Sequence, residues 1–269
     1  MLPADSAFSG SIPENYDRHM VPLIFASYAA DLAARAARLT PRAVLEIAAG
    51  TGVVTRALAP LLSADARYVA SDLNPAMLAH AAAQQGDDRR IDWRQADAMA
   101  LPFADASFDL VCCQFGAMFF PDRPAGYREA RRVLKPGGRL LFSVWDRIED
   151  NVFADEVTQA LAGLFPHDPP RFLVRTPHGY ADTAMIRRDL AAAGFGDVTI
   201  ETRAEESRAP SPAIVAAAFC QGTVLRTEIL AAGGDLARTT DQVTQALVAR
   251  HGTGAVAARI QAHIISADV

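Results

Sequence analysis

The sequence predicts an α/β fold: a doubly wound, mostly parallel seven-stranded sheet with helices on both faces and a helical cap. Three observations carry that expectation. Short apolar runs at 43–49, 67–73, 91–97, 108–115 and 139–145 alternate with stretches of helical spacing, the rhythm of parallel strands joined by crossover helices. The run Ala43-Val44-Leu45-Glu46-Ile47-Ala48-Ala49 is apolar almost throughout, as a strand covered on both faces must be. Beyond Trp145 longer helical patterns take over, with further strands expected only at 197–203 and 255–266.

Taken in order, residues 1–15 are rich in Ser, Gly, Pro and Ala and are expected to be mobile. A helix is expected over 23–39, ended by Pro41. After the first strand comes a glycine turn, Gly50-Thr51-Gly52, and a helix over 53–62. The second strand ends in Asp72, and Asn74-Pro75 opens the next helix as N-cap and first helical residue. The third strand ends in Asp97; the fourth spans 108–115 and is followed by a helix over 124–134. Lys135-Pro136-Gly137-Gly138 reads as a sharp turn into the fifth strand. Helices are expected at 151–164, 183–193 and across 213–250, the last broken at Gly233-Gly234.

Composition narrows the class. With 269 residues, 51% hydrophobic and 21% charged, the chain suits one large globular domain. Its core is expected over 40–148, with lid or cap elements at about 1–30, 149–190 and 208–250. A net charge of −5 lacks the footprint of a nucleic-acid binder. Cys112, Cys113 and Cys220 show no C-x-x-C spacing and read as reduced core thiols of a cytoplasmic protein. The N-terminus lacks a basic-then-apolar signal, and no apolar run approaches the ~20 residues of a membrane span. No His, Cys or Asp cluster has metal-ligand spacing, so no metal is expected. The oligomeric state is not legible.

The chemistry is concentrated at the strand ends. Glu46 is a carboxylate inside an apolar run, costly to desolvate unless something pairs with it; an arginine partner in the core is the plain alternative. Gly50 and Gly52 allow backbone N–H groups to approach a ligand at a helix N-terminus. Asp72, at the end of the second strand, is placed to accept from ribose hydroxyls at the carboxyl edge of a parallel sheet. A dinucleotide pyrophosphate fits poorly: the third small residue of G-x-G-x-x-G is here Thr55, and Glu46 would repel it. A cationic nucleoside satisfies both features.

These residues resemble the class I S-adenosylmethionine-dependent methyltransferases of small-molecule type, in particular the ubiquinone/menaquinone-biosynthesis-like group. Glu46-Ile47-Ala48-Ala49-Gly50-Thr51-Gly52 resembles their first motif, E/D-x-G-x-G-x-G, with Ala48 in place of the first glycine. Asp72-Leu73-Asn74-Pro75-Ala76-Met77-Leu78, Ala96-Asp97-Ala98 with Leu101-Pro102-Phe103, Ser107-Phe108-Asp109 and Leu134-Lys135-Pro136-Gly137-Gly138 follow in the family's order. Tyr16-Asp17 resembles the Y-D pair found ahead of the first motif. The resemblance covers residues 43–145 and implies a Rossmann-like fold. It also implies roles. Glu46, Ala48, Gly50 and Gly52 border the methionine moiety, and Asp72 holds the ribose. Leu73 and Met77 line the adenine, Asp97 and Ala98 bind its amino edge, and Gln114 and Phe115 floor the transfer site. Tyr16 and His19, with Asp17, are the candidates for substrate-side or proton-handling groups. His167, His178 and His251 lie in loop contexts and read as solvated.

The function expected is transfer of the methyl group of S-adenosylmethionine to a small molecule by in-line displacement, leaving S-adenosylhomocysteine. The fourth strand lacks N/D-P-P-Y/F, the family's device for amino groups of nucleobases, so with the negative net charge no nucleic-acid target is expected; no membrane partner is expected either. Two rivals remain: an NAD-type oxidoreductase, and a catalytically silent nucleoside-binding or regulatory partner.

Overall fold

A computed structural model describes residues 12–269; the expectation of mobility for the first residues, and the start of the expected 1–30 lid, lie outside the described residues up to position 11. Seven strands form one sheet in the order β3-β2-β1-β4-β5-β7-β6. They are β1 (Ala43–Ile47), β2 (Arg67–Asp72), β3 (Ile91–Gln95), β4 (Phe108–Gln114), β5 (Leu134–Trp145), β6 (Asp197–Ala209) and β7 (Val256–Asp268). The first five pair in parallel, and β7 lies antiparallel between β5 and β6. Every residue of β1 is buried, which requires cover on both faces. The strand order reverses at β1 and β4, and in such sheets the ligand crevice opens beyond the strand ends at that switch point.

The helices are α1 (Ile12–Asn15), α2 (Ala26–Arg38), α3 (Val53–Leu58), α4 (Pro75–Gln85), α5 (Arg123–Val133), α6 (Val152–Leu164), α7 (Phe172–Arg175), α8 (Thr183–Ala192), α9 (Pro212–Gly222), α10 (Leu225–Ala231) and α11 (Leu236–His251). Asn74 caps α4 as expected, accepting from the Ala76 and Met77 N–H groups.

Three expectations are corrected. The first helical stretch begins well before Leu23: α1 runs through a π-helical segment, Tyr16–Phe25, into α2. Pro22 inside it has no N–H to donate, and Ala26 N–H bonds back to the Val21 carbonyl five residues earlier. This helical stretch, Pro13–Arg38, also has the length and apolar content of a membrane span, but half of its most apolar window is buried in the protein. Finally, β6 continues to Ala209, because every one of its residues pairs with β7.

The motif flanking β4 acquires a structural meaning. The Asp109 carboxylate accepts from the backbone N–H groups of Arg42 (2.9 Å) and Ala43 (2.8 Å) and from Lys135 Nζ (2.7 Å). It thus pins the start of β1 and the Lys135–Gly138 turn to one carboxylate. That turn bulges inside β5: Phe108 pairs with Leu134, and Leu110 next pairs with Arg139.

Candidate functional site

The turn after β1 is built from left-handed backbone. Ala48 (φ 54°), Gly50 (φ 56°) and Gly52 (φ 81°) all lie where glycine is favoured. Ala48 therefore carries strain that the glycine of the family motif would not. Its methyl group leaves room only for hydrogen opposite: a Cβ on Gly116 would come within 2.5 Å of Ala48 Cβ. Gly52 faces away from the crevice. A Cβ there would meet Ala81 Cβ at 3.1 Å and the Trp93 ring at 3.4 Å, so this glycine serves close packing of α3 on α4 and β3.

Asp72 closes the turn from β2. One carboxylate oxygen accepts Gly50 N–H (2.8 Å) and the other accepts Asn74 N–H (2.8 Å). Burial pushes its carboxyl up, opposed by those backbone donors. Glu46 is 2% exposed and accepts from Thr55 Oγ1 and Tyr68 Oη, each at 2.6 Å. Its partners are thus two hydroxyls rather than an arginine. Burial raises the carboxyl to about 7 against those two donors.

A cavity of about 220 Å³ opens at the ends of β1, β2 and β4. It gathers Ala48, Gly50, Asp72, Leu73, Met77, Asp97, Ala98, Gln114, Phe115 and Tyr16, ten of the thirteen expected site residues. Asp97 accepts Met99 N–H at 2.9 Å. Asn74, read in the sequence as an N-cap within the Asp72–Leu78 motif, also lines it, as do Met99, Phe119 and Phe120, which nothing in the spacing marked. A smaller pocket of about 30 Å³ adjoins behind the turn and is lined by Glu46, Thr51, Gly50, Tyr16 and Gln114 among others. Two buried polar atoms on it, Thr51 Oγ1 and Gln114 Oε1, have no hydrogen-bond partner among the described residues. Such orphans ask for a polar ligand.

A third cavity, of about 70 Å³, shares Tyr16, Phe115 and Phe119 with the first. Its wall is aromatic and apolar, from Phe25, Trp145, Phe172 and Phe219, with His178 and Thr223 as polar groups. Phe115, the residue after β4, has a left-handed backbone (φ 52°) and stacks on Trp145 at 3.8 Å. A non-glycine residue held there is the kind of strain that accumulates at functional sites. Tyr16 stacks on Phe25 at 5.1 Å. Burial, then the carboxylates of Asp72 and Asp17, push its phenol far above the usual range, so Tyr16 keeps its proton at neutral pH. Asp17 is engaged by Arg56 at 2.8 Å and His80 at 3.3 Å. His19 lines none of these three cavities. His178, expected to be solvated, is instead partly buried in the aromatic wall.

The comparisons agree with this geometry. A family model described as a methyltransferase domain matches residues 45–142. The demethylmenaquinone methyltransferase of Mycolicibacterium gilvum is 34% identical over 164 residues, 58% of this chain and 68% of that one. An S-adenosylmethionine-dependent methyltransferase of Thermotoga maritima shares the fold at a TM-score of 0.55 and 16% identity, covering 95% of each chain. The Haemonchus contortus phosphoethanolamine N-methyltransferase 2, solved with S-adenosylhomocysteine, does so at 0.53 and 17%, covering 97% of this chain and 61% of that one. The chain belongs to the class I S-adenosylmethionine-dependent methyltransferases, enzymes that move the cofactor's methyl group to a small molecule.

Proposed function

We propose that the 220 Å³ cavity and the pocket behind the turn hold S-adenosylmethionine, and that the aromatic cavity holds a flat apolar acceptor. The observation that carries this reading is the pair of orphaned polar atoms, Thr51 Oγ1 and Gln114 Oε1, beside the Glu46 carboxyl. An amino-acid tail brings both an ammonium and a carboxylate to satisfy them. Asp72 takes the ribose hydroxyls on lone pairs left after its two backbone bonds. Asp97, Ala98, Leu73 and Met77 surround the adenine, and Gly50 passes its backbone beneath the tail. Gly52 acts through packing.

When bound, the cofactor supplies a methyl group already activated on a sulfonium, so positioning and exclusion of water are the tasks left to the protein. Phe115 and Tyr16 form the wall between the cavities. Tyr16 acts as a hydrogen-bond donor, since its phenol is held protonated. The segments at 12–30, 149–190 and 208–250 serve as cap, a role supported by the residues they contribute to the aromatic wall. Relatives named for demethylmenaquinone support an aromatic acceptor. Three buried free cysteines suit a reducing compartment, the cytoplasm.

Calorimetric titration tests the cofactor half. S-adenosylhomocysteine is expected to bind in the micromolar range and NADH not at all; absence of S-adenosylhomocysteine binding overturns the reading. Tyr16→Phe is expected to lower turnover while cofactor affinity holds. A large loss of affinity would move Tyr16 to the cofactor.

A further inference from the structure

We propose that His178 selects the acceptor: its Nε2 accepts a hydrogen bond from a hydroxyl carried on a flat apolar ring in the aromatic cavity. The inference rests on the reading of that cavity as the acceptor site. The tautomer follows from one contact. His178 Nδ1 lies 2.8 Å from the Asp146 carbonyl oxygen, which can only accept, so Nδ1 carries the proton. In the neutral ring Nε2 then holds a lone pair, and it makes no hydrogen bond among the described residues. The ring is fixed against Trp145, centroid to centroid 6.1 Å, and Trp145 in turn stacks on Phe115.

The surroundings keep this atom an acceptor. Burial pushes the imidazole down to about 4, against the opposing pull of the Asp146 carbonyl and the carboxylates of Glu149 and Asp146. His178 is therefore neutral throughout the physiological range. Of the other polar groups of the wall, Thr223 Oγ1 is already satisfied, donating to the Phe219 carbonyl (2.7 Å) and accepting Leu225 N–H (3.2 Å), and the Tyr16 phenol, which keeps its proton, is a weaker acceptor than an imidazole nitrogen. Rings on the remaining sides offer stacking and no acceptor of comparable strength. An apolar ring without a donor would leave Nε2 desolvated and unpaired, and the site discriminates against it for that reason.

The test uses the full chain saturated with S-adenosylhomocysteine and two probes, 2-naphthol and 2-methoxynaphthalene, which share a ring and differ in the O–H. Wild-type protein is expected to bind 2-naphthol about tenfold tighter, the worth of one buried hydrogen bond. In His178→Phe the two probes should bind within about twofold. His178→Gln, whose amide oxygen can accept, should retain most of the preference. On wild-type protein, 2-naphthol but not its methyl ether should shift the His178 Nε2 nitrogen resonance upfield. S-adenosylhomocysteine binding by each variant reports its folding. Equal affinity for the two probes, binding of neither, an unmoved Nε2 resonance, or a preference that survives in His178→Phe overturns the proposal. Failure of wild-type protein to bind S-adenosylhomocysteine overturns instead the cofactor reading beneath it.

Discussion

The two main cavities share Tyr16, Phe115 and Phe119 and both have largely apolar walls, but only the first carries carboxylates. The first is rimmed by carboxylates and backbone at strand ends: Asp72, Asp97, Ala48 and Gly50. The second is a wall of rings contributed by the π-helical segment, the end of β5, α7 and α9. The carboxylate-bearing rim is held by short hydrogen bonds to main-chain atoms, which tolerate little change. The aromatic one is held by packing, which side-chain substitution can remodel. On the function proposed above, one half of the molecule keeps a ligand constant and the other lets an acceptor vary.

Substitutions can break this contrast, beginning with the largest expected effect. Asp72→Ala removes two charge-assisted bonds, one to Gly50 N–H in the turn and one to Asn74 N–H at the start of α4, each worth about 1.5–3 kcal/mol. Calorimetry should show S-adenosylhomocysteine affinity falling by at least tenfold; parental affinity would mean that the turn holds itself. Phe115→Ala attacks the shared wall instead. It deletes a ring stacked on Trp145 and should cost about 3–5 kcal/mol in urea unfolding. A loss well under 1 kcal/mol would show that the rings collapse without it.

Glu46 gives the polar half a pH signature. Its carboxyl, about 7 when folded against an ordinary 4.5, binds its proton more tightly in the native state. The stability this contributes is fully present below pH 4.5 and is lost as pH rises through 7, about 3 kcal/mol in all. Glu46→Gln keeps an acceptor for Thr55 and Tyr68 without the charge. Urea unfolding across pH 4 to 8 should show its advantage over wild type growing as pH rises; a constant difference would contradict the burial argument. Ala48→Gly is the smallest change. Relief of left-handed strain is offset by greater freedom of the unfolded chain, so thermal unfolding should show a gain below about 1 kcal/mol. A clear loss would mean that the Ala48 methyl contributes more through its contact with Gly116 than its strain costs.

Legibility in the sequence follows the same division. Asp72 and Asp97 end strands whose pattern is local, so alternation and a glycine turn suffice to bring them to one edge. Asn74 capped α4 as its position before Pro75 foretold. The roles of Gly50 and Gly52, two residues apart, could not be separated by spacing. One borders the cavity and the other abuts Ala81 and Trp93, a contact between distant segments. His19 shares a helical segment with Tyr16 and only Tyr16 reaches the cavities. His178 follows a proline in a stretch with no periodicity, and nothing local tells that Asp146 and Trp145 stand beside it.

The sequence by itself determined the sheet, the acid-and-glycine edge at its switch point and the cofactor chemistry that edge suits, because strand pattern, turn and cap are written within a few residues of each other. Only the tertiary structure decided what Glu46 pairs with, which glycine borders the cavity and what lines the space beyond Phe115. Those depend on side chains brought together from Tyr16 to Phe219, and packing between segments so far apart leaves no mark in the spacing of either.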